Sequence, residues 1–323
     1  MRLLVTGGLG YVGSFAARHL AGAGHEVTIL DDLSTGHRRA AGKLPVVIAD
    51  CRDVATVSGV LSHHRIEAVL HFAGLSLVGA SVADPAAYYA ANVGGSLGLL
   101  EAMRRAGVDR IVFSSSAAVY GNPSTQPIPE SAPLAPMNPY GRSKAMVEGI
   151  LRDAAAAGQV RAACLRYFNA AGASRSGDLG EDHHPETHLI PRLLAAAREG
   201  QEFTVHGKDY ATPDGTAVRD YIHVEDLAEA HARALTLLEK TPFTALNLGT
   251  GRGYSVLEVL QTAETLLGKK IRSKFGARRS GDPDTLVAST NECKKTMNWS
   301  PINSNIEVIL KSSILWHSNN VRS

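Results

Sequence analysis

Arg2-Leu3-Leu4-Val5-Thr6-Gly7-Gly8-Leu9-Gly10-Tyr11-Val12-Gly13 runs from a short apolar segment straight into a glycine turn, and the turn opens the amphipathic stretch Tyr11–Gly22. A chain that bends this sharply between a buried strand and a helix leaves no room for side chains at Gly7, Gly10 and Gly13. It also lets a pyrophosphate approach the bare backbone at a helix N-terminus, where free N–H groups and the helix dipole favour an anion. The spacing is GxxGxxG rather than GxGxxG, and its place between strand and helix is what makes it informative. The turn predicts dinucleotide binding on a parallel α/β sheet.

Downstream, the apolar runs Glu26–Leu30, Pro45–Ala49, Ala68–Phe72 and Arg110–Ser115 read as buried strands, and Val54–His63 and Pro85–Ala106 as helices between them. Runs that do not alternate polar and apolar residues belong to strands covered on both faces. The expected fold is α/β: a doubly wound parallel Rossmann sheet over residues 1–166, then a smaller mixed α/β substrate region over 167–323, with some chain returning to the first. In the second part a polar loop, Gly172–Thr187, precedes helix Leu189–Glu199, strand Phe203–His206, helix Val224–Glu239, strand Ala245–Leu248 and helix Ser255–Leu267.

Composition excludes several classes. Of 323 residues, 44% are hydrophobic and 20% charged, which suits a packed enzyme and not a disordered chain. A net charge of +2 gives no footprint for nucleic acid or membrane surface. With no apolar run long enough to span a membrane and no leader-like start, the expected compartment is the cytoplasm. Cys51, Cys164 and Cys293 are far apart and odd in number, as expected of reduced thiols packed as small apolar groups. Lysine is unevenly spread: Lys43, Lys144, Lys208 and Lys240 are the four before Gly268, and six follow it.

Asp31 ends the second strand, where a carboxylate accepts from adenosine ribose hydroxyls. A 2′-phosphate there would face both Asp31 and Asp32, so NAD is favoured over NADP. Asp50 ends the third strand, where adenine can lie. Tyr140-Gly141-Arg142-Ser143-Lys144 sets a tyrosine and a lysine at i and i+4 on one helical face, behind the helix opener Pro139. A free phenol titrates near about 10, and lowering it by about three units needs about 4 kcal/mol, within reach of two close cations. Ser114-Ser115-Ser116 closes a strand, and Ser116 is placed to relay a hydroxyl proton, whereas Ser114 and Ser115 read as groups satisfying local backbone.

These segments resemble the extended short-chain dehydrogenase/reductase family, on the side of its sugar-nucleotide 4-epimerases. The likeness runs over nearly the whole chain: Val5–Gly13, Leu30–Gly36, His71–Gly74, Asn92, Ser114–Gly121, Tyr140–Lys144, Tyr167-Phe168-Asn169, His188–Pro191, Arg219–Leu227, Asn247–Gly251 and Arg278–Pro283. The resemblance implies interconversion of UDP-glucose and UDP-galactose through a 4-keto sugar, with NAD held tightly and regenerated each cycle. Tyr140 would be the base, Lys144 would lower its pKa and hold the nicotinamide ribose, and Ser116 would assist. Tyr11, Val12, Asp32, Ser34, Thr35, Gly36 and Cys51 would join the glycines and Asp31 around the adenosine diphosphate. Phe72, Ala73, Gly74, Ser76, Asn92, Ser114 and Phe168 would line the rest of the cofactor. Asn169, His188, Leu189, Thr204, Val205, His206, Arg219, Arg279, Asp282 and Leu286 would hold the UDP-sugar; for the arginines this also makes physical sense, because planar guanidinium binds diphosphate bidentately. The alternative for Arg219 is an ion pair with Asp220 or Glu225. A homodimer built on Pro85–Ala106 and Tyr140–Ala157 is implied as well.

Three positions depart from the pattern. Ser76 stands where some members have lysine, His206 where an aromatic ring can stack on uracil, and Leu286 where certain glucose-specific members have tyrosine. A smaller residue there admits an N-acetyl group, so UDP-N-acetylhexosamines join the candidate substrates. Ala117 and Ala118 stand where dehydratases carry an acid and a base, and alanine transfers no proton, which disfavours elimination. UDP-glucuronate 4-epimerisation, another NAD-dependent change to a sugar nucleotide, and a non-catalytic NAD-sensing scaffold are the remaining alternatives. His183 and His184 fall in the polar loop, so the cluster they form with His188 lacks the helical i, i+4 logic of a zinc site and no metal is expected; His63 and His64 read as the end of an exposed helix.

Overall fold

Leu3, Leu4 and Val5 are all fully buried, yet they serve two different cores. Successive strand residues point to opposite faces, so Leu3 and Val5 join one apolar cluster and Leu4 another. The structure is a computed structural model that describes residues 1–279 and 282–320. Ser280 and Gly281, within the Arg278–Pro283 run, lie outside the described residues.

The strands, in chain order, are β1 (Arg2–Thr6), β2 (Glu26–Asp31), β3 (Val46–Ile48), β4 (Ala68–His71), β5 (Arg110–Ser116), β6 (Arg161–Tyr167), β7 (Asn169–Ala171), β8 (Phe203–His206), β9 (Val218–His223), β10 (Phe243–Leu248), β11 (Gly253–Ser255), β12 (Ser273–Gly276) and β13 (Thr285–Leu286). The helices are α1 (Tyr11–Gly22), α2 (Val54–His63), α3 (Val78–Ala83), α4 (Pro85–Tyr88), α5 (Gly95–Ala106), α6 (Pro139–Ala156), α7 (Leu189–Glu199), α8 (Val224–Leu237), α9 (Val256–Leu267), α10 (Asn291–Met297) and α11 (Ile306–Asn319).

The main sheet has seven strands in the order β10-β6-β5-β4-β1-β2-β3, every pair parallel. Order reverses beside β1, which puts the ligand crevice beyond the C-terminal ends of β1 and β4. One face is covered by α1 and α8, through Ala17, Leu20, Leu227, Ala230 and Ala234. The other is covered by α2, α5 and α6, through Val57, Leu61, Leu99, Met103, Val147 and Leu151. The three free cysteines are buried, and burial pushes the thiols of Cys51 and Cys293 up to about 12.

One expectation changes. The helix read over Pro85–Ala106 is three pieces: α4, a π segment over Tyr89–Gly94, and α5. Asp84 caps α4, and the π segment turns Asn92 toward the loop after β4. The strand near Ala245–Leu248 is an edge of the main sheet, pairing with β6 from Phe243↔Ala162 to Leu248↔Tyr167. The remaining strands form two small sheets, β11-β9-β13 with β7 against β9, and β12-β8. A third core under them joins α7, α9 and α11 through Ile190, Leu193, Val259, Ala263, Ile309 and Leu310.

Candidate active site

A cavity of about 1000 Å³ runs along the C-terminal strand ends, from the glycine turn to β8 and β13. At its nucleotide end Gly7 has φ 67°, and its N–H donates to the Leu30 carbonyl. A Cβ on Gly7 would sit 2.5 Å from the Ala73 nitrogen, and one on Gly13 would sit 2.2 Å from the Gly7 oxygen, so both glycines are sterically required. Gly10 caps α1 without a side-chain acceptor, leaving the first N–H groups of Tyr11, Val12 and Gly13 at the cavity wall. The buried Asp31 carboxylate accepts from Leu9 and Leu33 N–H groups at 2.9 Å each; burial raises its pKa and those bonds oppose the rise. A carboxylate has about four lone-pair sites, so two remain for ribose hydroxyls.

Asp32, Ser34, Thr35, Asp50, Cys51, Phe72, Ala73, Gly74, Ser76, Ser114 and Phe168 also line the cavity. Asp50 is ion-paired to Arg52 and held below the usual carboxylate range by it. Gly36 supports from behind, packed against Leu9 and Asp31. Asn92 does too: its amide holds Leu75 N–H and C=O at 2.7 and 3.0 Å and Ser143 Oγ at 2.9 Å, which fixes the loop that presents Ala73–Ser76. The cradle of glycines, uncapped helix N–H groups and Asp31 fits NAD.

At the reaction centre Lys144 is buried, with Nζ donating to the Ser114 carbonyl at 2.8 Å and lying 5.9 Å from the Tyr140 ring centre. Burial pushes the Lys144 ammonium down to about 8, against the pull of Glu148. Burial also pushes the Tyr140 phenol up, against a hydrogen bond with Ser116. Lys144 is not among the groups that shift the phenol, which burial dominates, so the expected lowering of Tyr140 does not appear in the protein alone. Ser116 and the unreactive Ala117 and Ala118 line the cavity beside Tyr140.

Several groups here were not singled out by the sequence. Tyr167 places its hydroxyl 2.5 Å from Ser114 Oγ and lines the cavity. His71 is buried between Thr6 Oγ1 at 2.7 Å and Ser96 Oγ at 2.9 Å. Glu148, one turn beyond Lys144, takes three hydrogen bonds from Arg166 and one from Ser115. A signal existed for Tyr167 and His71, since each directly precedes a residue chosen for the cofactor. None existed for the Glu148–Arg166 pair, which only the fold joins.

At the far end Asn169, His188, Leu189, Thr204, His206, Arg219, Arg279, Asp282 and Leu286 line the cavity. Val205 does not: strand alternation turns it into the third core, where it is 1% exposed. Arg219 pairs with Asp282 at 2.6 Å, neither of the partners considered from sequence. Asn169 donates to the Asp220 carbonyl, and the buried Asp220 carboxylate organises the 249–251 turn through Thr250 and Gly251. Arg278 faces elsewhere, stacked on Tyr210 at 3.9 Å and paired with Asp284.

The loop before α7 strings three histidines, and the structure separates them. His184 is exposed beside Asp182, while His183 and His188 converge on Glu181 and Glu186. Burial works against their charged forms, but the carboxylates override it and raise His183 to about 9 and His188 to about 10. The loop is tied to the nucleotide end by Tyr11, whose hydroxyl donates to Gly172 C=O, and by the Arg18–Asp178 and Arg39–Asp182 pairs.

Residues 3–249 match the NAD dependent epimerase/dehydratase family. A UDP-glucose 4-epimerase of Lactobacillus helveticus is 48% identical over 320 residues, 98% of this chain and 97% of its own. The crystal structure of UDP-glucose 4-epimerase from Brucella ovis in complex with NAD is similar with a TM-score of 0.94 at 44% identity, covering 97% of each chain. That from Stenotrophomonas maltophila, with bound NAD and formylated UDP-arabinopyranose, has a TM-score of 0.96 at 41% identity and covers 100% of this chain and 99% of its own.

Proposed function

The chain belongs to the NAD dependent epimerase/dehydratase family, and from that premise we propose a UDP-hexose 4-epimerase that interconverts UDP-glucose and UDP-galactose. The observation that carries the reading is the single cavity. It joins a dinucleotide cradle to Tyr140, Lys144 and Ser116, and then to Arg219 and Arg279, with only Ala117 and Ala118 where elimination would need proton carriers.

NAD, held by the glycine turn, Asp31 and the Ala73–Ser76 loop, supplies the hydride acceptor and donor for sugar carbon 4 and, when oxidised, a second positive charge near Tyr140. The residues of the chain handle the proton. Tyr140 takes it from the 4-hydroxyl, with Ser116 bridging, and returns it after the keto sugar has presented its other face. Lys144, fixed by Ser114 C=O, stabilises the phenolate for as long as it lasts. Arg219 and Arg279 anchor the diphosphate while the sugar turns, and Asp282 holds the Arg219 guanidinium at 2.6 Å. Residues 1–166 hold the cofactor and the catalytic pair, and 167–323 the UDP-sugar, with α8 and β10 returning to the first part's sheet.

Leu286, partly buried against the Phe168 cluster, is smaller than tyrosine and leaves room for an N-acetyl group, so UDP-N-acetylhexosamines are secondary substrates. A cytoplasmic enzyme of galactose metabolism fits the three buried free thiols, and among the described residues no helix is long and apolar enough to cross a membrane. A homodimer fits Leu97 on α5 and Met146 on α6, which are 49% and 48% exposed. Purified protein mixed separately with UDP-galactose, UDP-N-acetylglucosamine and UDP-glucuronate should convert the first fastest to its 4-epimer. Conversion of none of them would refute the function, and preference for the uronate would replace the substrate.

A further inference from the structure

Away from Tyr140 and Lys144, on the wall of the same cavity that Glu181, His183 and His188 line, the densest set of metal-competent side chains among the described residues is Glu181, His183, Glu186 and His188, whose ligand atoms lie within 4.8 Å of one another. We propose that these four residues bind one divalent cation of the zinc class, which clips the Gly172–Thr187 loop to the start of α7.

The geometry is the first support. His188 Nδ1 lies 2.8 Å from Glu181 Oε1 and 3.1 Å from Glu186 Oε1. His183 Nδ1 lies 3.2 Å from Glu181 Oε1 and 3.8 Å from Glu186 Oε2. Ligand atoms about 2.1 Å from a tetrahedral ion stand about 3.4 Å apart, inside this range, so small side-chain shifts seat the ion. His183 Nδ1 is also sealed from solvent and has no aligned hydrogen-bond partner, although Glu181 Oε1 is close. An ion seated between these groups would take the place of the imidazole proton that the carboxylates otherwise hold. The donor chemistry selects the ion: two imidazoles and two carboxylates suit zinc, cobalt or nickel, whereas magnesium and calcium prefer oxygen alone.

Supporting contacts orient the ligands. Thr187 and His188 N–H groups both donate to Glu186 Oε1 at 2.7 Å. Trp316 Nε1 holds the Glu181 carbonyl at 3.0 Å, and the Tyr11 ring packs edge-on against His183. Such supports are what tune a metal site. Four residues within eight positions could not be read as a site from sequence, because no helix arranges them; a loop folded over the glycine turn does.

The test uses the protein as purified, stripped of metal with EDTA and dialysed, then titrated with Zn²⁺ by equilibrium dialysis and with Co²⁺ by visible absorption. The expected result is one Zn²⁺ per chain, an intense tetrahedral cobalt spectrum, and no displacement by an equal concentration of Mg²⁺. His183→Gln should weaken Zn²⁺ binding by more than about 100-fold, beyond what loss of a supporting contact costs, while His184→Gln binds like wild type. Glu186→Gln carries the same expectation as His183→Gln and stands in if that variant loses its native circular dichroism. Sub-stoichiometric Zn²⁺ in the wild type, undiminished binding in both ligand variants, or displacement by Mg²⁺ would overturn the site.

Discussion

Glu148→Gln removes a charge from a buried junction of α6, β5 and β6. Glu148 is fully buried and Arg166 is 3% exposed at its side chain. Their carboxylate and guanidinium share hydrogen bonds of 2.6, 2.9 and 3.1 Å, Ser115 donates to the same carboxylate, and Arg166 reaches on to Tyr120, which donates to Asn247 on β10. Glutamine keeps the shape and one acceptor but leaves a guanidinium uncompensated in a dry site. Breaking such a pair costs about 3–5 kcal/mol, a large share of a typical stability of about 5–15 kcal/mol. Replacing both partners by Glu148→Met with Arg166→Met should recover most of that loss, because the desolvation penalty disappears with the charges. Urea unfolding followed by circular dichroism and tryptophan fluorescence measures both variants against wild type. A second readout separates positioning from bulk stability: Glu148 raises the pKa of Lys144, so its loss should move the ammonium further below about 8 and shift the pH profile of turnover with it. A Glu148→Gln protein within about 1 kcal/mol of wild type, or a double variant less stable than the single, would refute the reasoning.

Gly13→Ala drives a Cβ to 2.2 Å from the Gly7 oxygen and should yield protein without NAD, measured by absorbance of the cofactor released on denaturation; a full complement would refute the cradle. His71, His223 and His231 are held neutral by burial, near about 3, about 4 and about 4 against an ordinary 6.5. The unfolded chain binds more protons than the native one below 6.5, so stability is complete above that pH and falls as pH drops toward about 4. The urea midpoint should decline across that window, less steeply in His231→Phe, and a flat profile would contradict the assignment. Leu286→Tyr should lower turnover of UDP-N-acetylglucosamine relative to UDP-galactose by about 10-fold or more, the discrimination expected of one bulky contact; an unchanged ratio would remove Leu286 from the sugar pocket.

The main sheet was legible because its signals are local. An apolar run, a glycine turn and an amphipathic helix each depend on a few neighbouring residues, and α1, α2 and β1 have the bounds the pattern predicts. What escaped depends on distant partners. Phe243–Leu248 looks like any short strand until β6 is beside it. Asn92 was assigned to the cofactor, yet its whole amide is used on Leu75 and Ser143, because a π segment rotates it onto the loop. Val205 was taken with its neighbours Thr204 and His206, although a strand must send alternate residues to opposite faces. The pKa of Tyr140 was reasoned from two neighbouring cations, and the desolvation that raises it is a property of the packed site. Glu181, His183, Glu186 and His188 meet in a loop and at the start of a helix, where no regular spacing marks them.

The most direct test of the account is Tyr140→Phe assayed for conversion of UDP-galactose to UDP-glucose, with native circular dichroism and bound NAD confirmed first. A proton carrier contributes about 10²–10⁴ in rate, so turnover should fall by that factor while binding of UDP-galactose stays close to wild type. Epimerisation at the wild-type rate would show that the proton travels by another route and would contradict the mechanism proposed for this site.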